Sequence, residues 1–408
     1  MGVALSTALG QRALRVPGTR AGRRWSGDAT AVAVLVLLPA LVFGVPALLG
    51  HAVLPGDDLT QNYPLRVLAG HQIAAGHLPL FDPYTWSGSP LLAGWNAGAA
   101  YPLIAAFAVL PGVAAWTASM IITWAVAGLG MFAFLRALRL GSLPALLGAL
   151  SFGFAGAMPA QVAHFGLVAG MSWVPLALLS VLRLTEAPSP AGRLRWTAAL
   201  AAAMGLIILA GEPRAIDDAV VLVGGYALWR VIRRGRGRGP AALSLAAGLA
   251  LGVGLGAVQW LPGLAAVSTS QRGTATVALF NSGSLPHRWL LLMLVPNLLG
   301  GSGSFGDPAF AAHYNLAEVT GYAGILPLVA AAALLGRLRL RGLRGRGRLA
   351  RLPEWLVWHV LALAGVVLAL GGDTPLGRVL VHLPLFGDQR LQSRNILVAD
   401  LALAVLLA

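Results

Sequence analysis

The chain has 408 residues, of which 57% are hydrophobic and only 11% charged, and its mean hydropathy is +0.77. Soluble domains carry roughly 25% charged residues, so this composition excludes a water-soluble globular protein and predicts an integral membrane protein. The absence of cysteine excludes disulfides, thiol nucleophiles and cysteine-bound metals. The net charge of +15 comes from arginine alone, since the chain has no lysine.

Most of the chain after residue 28 consists of apolar stretches long enough to cross about 30 Å of hydrocarbon. In lipid these stretches have to be helices, because every backbone polar group needs an internal partner. The predicted fold class is therefore an all-α polytopic membrane protein with about ten transmembrane helices in one domain, residues 29–408. In chain order the predicted spans are Ala29–Gly50, Val113–Leu135, Ser142–Ala160, Val162–Leu182, Trp196–Ala210, Ala215–Val231, Pro240–Leu261, Leu316–Leu335, Trp355–Leu370 and Ile396–Ala408.

Two long loops separate these spans, residues 51–112 and residues 263–315. Each loop contains an apolar segment that is too short to span, Tyr101–Leu110 in the first and Trp289–Leu299 in the second. We expect both segments to be interfacial or re-entrant helices. The first loop is also rich in aromatic residues, which suit the membrane interface and can also stack on sugar rings.

The arginines predict the orientation. With the arginine-rich tail, residues 1–28, placed in the cytoplasm, alternating spans put 22 of the 29 basic residues on the cytoplasmic side. This bias is the positive-inside pattern, and it favours topology anchors that meet anionic lipid over a nucleic-acid partner. Ten of the 14 acidic residues fall on the opposite side. Acidic residues contribute little to topology, so their placement predicts a use for carboxylates on the extracytoplasmic face.

The pair Asp57–Asp58 stands directly after the first span, in "LPGDDLTQNYP". The pair either marks only the point where the chain leaves the membrane for water, or forms a catalytic site held at the membrane surface, where a carboxylate can act as a base. Near the C-terminus, Arg390 and Arg394 are four residues apart, and on a helix they would share one face. Such a pair could clamp a phosphate, or each arginine could form a salt bridge with Asp388 or Glu318.

These pieces together resemble the bacterial YfhO family of the GT-C glycosyltransferase superfamily. The resemblance rests on "GDDLTQNYP", "GHLPLFDPYTWSGSPLLAGWNAGAAYP", "GEP", "AEVTGYAGILPL" and "QRLQSRNILVADLALAVLLA", in that order. It implies that Asp58, together with Asp57, is catalytic and that Arg390 and Arg394 lie near the donor phosphate. The chain departs from the family in "GEP", where a histidine is common, and in "LQS" between the late arginines. Because family members usually continue further, the resemblance also implies a truncated member.

The expected function is transfer of a sugar from a polyprenyl-phosphate donor to a cell-envelope glycan, glycolipid or protein. The cofactor stays open: two adjacent carboxylates could hold Mg²⁺ or Mn²⁺, but no metal-ligand set is predicted. A polytopic transporter or lipid flippase is the alternative, and a non-catalytic scaffold is a third. The residues expected to bind substrate are Gln61, Tyr63, Asp82, Trp86, Glu212, Glu318, Arg390 and Arg394.

Overall fold

The structure is a computed structural model. It describes residues 20–234, 238–270, 276–301, 315–341, 352–383 and 386–408, with side chains described from residue 27 and not for residues 338–341. Three predicted features lie outside the described residues: the tail up to residue 19, Asp307, and the arginine-rich run 342–351.

Helices dominate the described chain, as the apolar composition predicts. The α-helices are α1 Arg20–Pro39, α2 Val45–Leu48, α3 Tyr63–Ala74, α4 Ile104–Val109, α5 Gly112–Ala137, α6 Ser142–Phe154, α7 Ala157–Ala160, α8 Phe165–Glu186, α9 Pro190–Leu209, α10 Pro213–Ala219, α11 Gly225–Arg234, α12 Arg238–Leu255, α13 Ala257–Ser268, α14 Val277–Asn281, α15 Ile325–Arg341, α16 Trp355–Ala369, α17 Pro375–Leu380 and α18 Ile396–Leu407. Segments Ala40–Gly44, Asp58–Asn62 and Val220–Gly224 are π-helical, and strands β1 Phe81–Asp82 and β2 Ser89–Pro90 form a two-stranded hairpin.

Six helical segments of the described chain are long and apolar enough to cross a membrane. They are Gly27–Leu48, Gly112–Ala137, Ser142–Ala160, Phe165–Glu186, Pro190–Leu209 and Arg238–Leu255. Two shorter apolar helices, Ile325–Arg337 and Trp355–Ala369, accompany them. The fold is therefore that of an all-α membrane protein, and the predicted total of about ten spans is not confirmed.

Helix boundaries differ from the prediction in several places: α9 begins at Pro190 rather than at Trp196, and the predicted span Pro240–Leu261 is interrupted at Gly256 between α12 and α13. Two further differences shorten the predicted helices. The segment expected to span from Leu316 begins with a 3₁₀ turn, Leu316–Glu318, and the α-helix starts only at Ile325. The apolar segment after Trp289 forms a 3₁₀ turn, His287–Met293, rather than a longer helix. In both places a proline or glycine interrupts the apolar run, which hydropathy alone does not register.

Ion pairs show which helix ends meet. Asp28 at the start of the first span contacts Arg136, whose guanidinium lies 3.0 Å away at the end of α5. Arg230 near the end of α11 contacts both Glu186 and Glu354, each at 3.1 Å. We call this end of the bundle the arginine end. The opposite end carries residues 51–112, and we call it the loop end.

Candidate functional site

A cavity of about 760 Å³ opens at the loop end. The first loop, the start of α8, the turn between α9 and α10, helices α12 and α13, and the segment before α18 all contribute to it. One part of the wall is polar. The apolar part comes largely from α13, with Val253 of α12 and Ile208 of α9. The charged or polar lining residues are Asp57, Gln61, Asn62, Asn96, His164, Glu212, Arg214, Asp217, Ser270, Asp388, Gln389, Arg390 and Arg394, and the apolar ones include Trp95, Ile208, Val253, Trp260, Leu264 and Val267.

The two adjacent aspartates occupy different environments. Asp57 lines the cavity, and its side chain is 63% exposed. Asp58 is fully buried and does not line the cavity. Successive residues of a helix point about 100° apart, and the π-helical segment begins at Asp58. Asp57 is therefore the carboxylate of this pair that can meet a ligand, whereas the sequence favoured Asp58.

Asp58 joins the first loop to α8. Its Oδ1 accepts hydrogen bonds from Asn62 Nδ2 at 2.7 Å and from the backbone N–H of Phe165 at 3.2 Å. Burial raises the pKa of Asp58 to about 6, although both hydrogen bonds and the charge of Arg66 act in the opposite direction. Asp57 and His164 are the residues directly before Asp58 and Phe165 in the chain, so this contact brings their backbones close together.

Arg66 is a buried cation beside this contact. Its guanidinium carbon lies 4.5 Å from the centre of the Phe165 ring, and Nη2 donates to Asn96 O at 3.5 Å. Burial lowers the pKa of Arg66 to about 10, and the charge of Asp58 partly offsets this effect. No motif in the sequence predicts a role for Arg66.

His164 stands at the centre of the polar wall. Arg394 Nη2 lies 2.9 Å from His164 Nε2, Glu318 Oε1 lies 3.5 Å from it, and Asp57 Oδ2 lies 3.7 Å from it. Burial and the charge of Arg394 lower the pKa of His164, against the effect of the neighbouring carboxylates. In the neutral imidazole, Nε2 accepts a hydrogen bond from Nη2 of Arg394.

Arg394 is paired with Glu318. The Nη2–Oε1 distance is 2.6 Å and the Nε–Oε2 distance is 2.7 Å, which is a bidentate contact between two buried side chains. Burial alone would raise the pKa of Glu318, but the hydrogen bonds and charge of Arg394 outweigh it and the pKa lies below its usual value. Of the two roles considered for Arg394, the salt bridge is therefore present, with Glu318 as the partner.

Arg390 and Arg394 do not share a helical face, so this expectation was wrong. Residue 390 lies outside any helix, Leu391 adopts a left-handed backbone conformation with φ of 63°, and only the 3₁₀ turn Gln392–Asn395 follows. Both arginines nevertheless line the cavity. Arg390 is exposed, and it is the one that can approach a ligand without first breaking the pair with Glu318.

Arg214 holds the segment that carries these two arginines. It is almost fully buried, and its guanidinium donates to Arg390 O at 3.0 Å and to Gln392 Oε1 at 3.2 Å. The neighbouring Asp217 accepts from Gln389 Nε2 at 2.6 Å. The first turn of α10 therefore fixes the backbone on which Arg390 and Arg394 sit.

The remaining predicted residues divide into two groups. Gln61 and Glu212 line the cavity, and their role in substrate binding stays a prediction. Tyr63, Asp82 and Trp86 do not. Tyr63 packs edge-on against Trp116, 5.9 Å between ring centres. The other two belong to the β1–β2 hairpin, where Asp82 is buried and Trp86 is exposed.

Sequence reasoning missed His164, Arg214 and Asp217. The signal for His164 was its position inside a predicted span, because an ionisable residue there marks a functional site by default. Arg214 and Asp217 belong to the "AGEPRAIDD" segment, in which the sequence predicted a binding role for Glu212 alone. Within the described residues, no group of three or more histidines and carboxylates is arranged to hold a metal ion.

The fold defines the class of protein: an all-α membrane protein with a cavity, lined by both polar and apolar residues, at one end of its helix bundle. Comparison of the chain with protein-family models, with curated protein sequences and with solved structures gives no match.

Proposed function

We propose that the protein is a membrane glycosyltransferase that moves a sugar from a polyprenyl-phosphate donor to an extracytoplasmic acceptor. The observation that carries the proposal is the cavity, which combines an exposed carboxylate, an exposed arginine and an apolar wall. A lipid-linked sugar needs all three: a base for the acceptor hydroxyl, a cation for the phosphate and an apolar surface for the lipid chain.

In the proposed reaction Asp57 is the base. Its carboxylate takes the proton of the acceptor hydroxyl while the hydroxyl oxygen forms a bond to the anomeric carbon of the sugar. The bond between that carbon and the phosphate oxygen breaks, and the polyprenyl phosphate leaves with its added negative charge. Arg390 faces that charge, because Arg394 is already neutralised by Glu318. Asp58 does not touch the substrate in this proposal. Its buried contact with Phe165 N positions the neighbouring Asp57.

A matched set of variants tests the base. Asp57→Asn should lower sugar transfer by about 10²- to 10⁴-fold, the usual contribution of a general base. Asp373→Asn makes the same chemical change at an exposed position of the loop end away from the cavity, and it should leave the rate unchanged. The assay uses proteoliposomes, a panel of undecaprenyl-phosphate-linked hexoses and cell-envelope extract as acceptor, with released undecaprenyl phosphate as the readout. Full activity in Asp57→Asn would remove this residue from the mechanism.

Arg390 is tested in the same assay. Arg390→Gln should lower the transfer rate because the leaving phosphate loses its cation. Arg378→Gln is the matched control, since Arg378 is also exposed but does not line the cavity. Equal rates in the two variants would exclude Arg390 from phosphate stabilisation.

The proposed orientation places the loop end outside the cytoplasm, in agreement with the arginine bias. The cysteine-free chain allows a direct test with single cysteines. A membrane-impermeant maleimide added to intact cells should label Thr269→Cys at the loop end and should not label Ala191→Cys at the arginine end. The reverse labelling pattern would place the cavity in the cytoplasm.

A transporter or lipid flippase is the second candidate, and one observation favours it. The helical segment Ser142–Ala160 is interrupted between α6 and α7. The backbone N–H of Ala157, at the start of α7, donates to the buried Asp400 Oδ2 at 2.7 Å. Broken helices beside buried carboxylates are typical of transporters. Movement of a fluorescent lipid across proteoliposomes that contain no donor would favour this candidate over glycosyl transfer.

A further inference from the structure

The hairpin at residues 78–90 exposes large apolar side chains although it lies outside the spanning helices. Trp86 is 91% exposed, Tyr84 is 83% exposed and Leu78 is 75% exposed. Leu80 and Phe81 are also exposed. We call these five residues the hairpin surface. Scattered apolar residues on a protein surface are ordinary, but a contiguous set of this size marks an interaction site.

The hairpin is held in shape by its own carboxylate. Strand residue Phe81 pairs with Pro90, and Asp82 pairs with Ser89. The buried Asp82 accepts hydrogen bonds from the backbone N–H of Tyr84 at 2.8 Å and from Thr85 Oγ1 at 2.6 Å. The tip therefore presents its aromatic rings on a defined turn.

The chemistry of the surface favours lipid over a sugar ligand. A sugar-binding platform needs hydrogen-bonding side chains beside its aromatic ring. Asp82 is the only charged residue between positions 77 and 91, and its two oxygens are used inside the turn. The other exposed side chains of the hairpin are mainly aromatic and aliphatic, with the small hydroxyl residues Thr85 and Ser87 between them. Aromatic side chains of this kind are typical of the membrane–water interface.

The position of the hairpin in the loop points the same way. The first span ends at Leu48, which is almost fully exposed, and α4 ends at Val109, also exposed, just before α5 begins. In the sequence, the hairpin lies between these two exposed apolar positions, each of which is close to the end of a spanning helix. It is also tied to α3, because Gln72 Nε2 donates to Phe81 O at 2.7 Å.

We propose that the hairpin surface inserts into the headgroup–acyl boundary of the bilayer at the loop end. The chain that follows the hairpin leads from the membrane surface to the cavity. Leu91 N donates to Leu80 O at 2.9 Å, Leu92 O accepts from Gln259 Nε2 of α13 at 2.8 Å, and Trp95 lines the cavity. The hairpin is thus a membrane anchor that sets the level of the first loop. The sequence predicted that Asp82 and Trp86 bind substrate. In the proposed anchor, Asp82 instead holds the turn and Trp86 contacts lipid.

Nitroxide labels on single cysteines test the anchor, since the chain has no cysteine of its own. Labels at Trp86→Cys and Leu78→Cys are compared in liposomes with Leu37→Cys, which is exposed on the first span, and with Asp373→Cys, which is exposed at the loop end. The ratio of collisions with oxygen to collisions with a water-soluble nickel chelate reports depth. It should be several-fold higher at the hairpin than at Asp373→Cys and below the value at Leu37→Cys.

A ratio at the hairpin equal to that of Asp373→Cys would overturn the proposal. So would immobilisation of the hairpin labels only after addition of soluble cell-envelope glycan, because the occupant would then be a sugar. Tyr84→Cys gives an independent reading if either variant folds poorly. None of these readouts depends on enzymatic activity, so the anchor and the proposed glycosyl transfer can fail separately.

Discussion

Loss of one partner from the Glu318–Arg394 pair should destabilise the protein strongly. Both side chains are about one-tenth exposed, and two hydrogen bonds of 2.6 and 2.7 Å join them. Among the residues that the structure describes, Arg394→Met leaves the Glu318 carboxylate with Gln161 Nε2 and His164 Nε2 alone, each at 3.5 Å. Removing one partner of a buried pair costs about 3–5 kcal/mol because the other charge stays buried and uncompensated.

The assay is reversible unfolding in mixed micelles, followed by circular dichroism. Glu318→Leu and Arg394→Met should each lose about 3–5 kcal/mol, whereas the double variant should lose less than either alone, because no unpaired charge remains. Glu186→Leu is the control: it breaks the 3.1 Å pair with Arg230, but Glu186 is 42% exposed, and exposed pairs contribute about 0–1 kcal/mol. If the two single effects simply add in the double variant, the proposed coupling is refuted.

Two further predictions concern Asp58 and Gly211. Because burial raises the pKa of Asp58 to about 6, the folded protein binds this proton more tightly than the unfolded chain does. The contribution of Asp58 to stability should therefore fall by up to about 3 kcal/mol as the pH rises from about 4 to about 6. Asp58→Asn should remove that contribution and make the slope shallower without abolishing it, because burial also raises the pKa of Asp217 to about 6; an unchanged slope would contradict this reasoning. Gly211→Ala should destabilise the loop end, since φ is +83° and the added Cβ would lie 2.2 Å from Trp95 O. The control Gly254→Ala, in a helix with nothing within 4 Å, should be neutral or stabilising by up to about 1 kcal/mol; equal thermal midpoints would contradict this reasoning.

The amino-acid sequence by itself determined the class of fold and the separation of charge between the two ends. Both follow from local composition. A run of apolar residues has to form a helix in lipid whatever its neighbours are, so α5 and α8 were predicted almost to their ends. The acidic residues near the cavity, such as Asp57 and Glu212, were placed at one end for the same reason, because they stand where apolar runs stop.

Only the tertiary structure decided which of these groups meet. The contact between His164 and Arg394 joins residues 230 positions apart, and no local pattern encodes such a pairing. The two adjacent aspartates illustrate the same limit on a smaller scale: sequence gives them identical chemistry, but the contact of Asp58 with Phe165 N turns one carboxylate into the bundle and leaves Asp57 at the cavity. Likewise the spacing of Arg390 and Arg394 suggested a shared helical face. The left-handed Leu391 between them breaks that face, because Arg214 holds the backbone there from another helix.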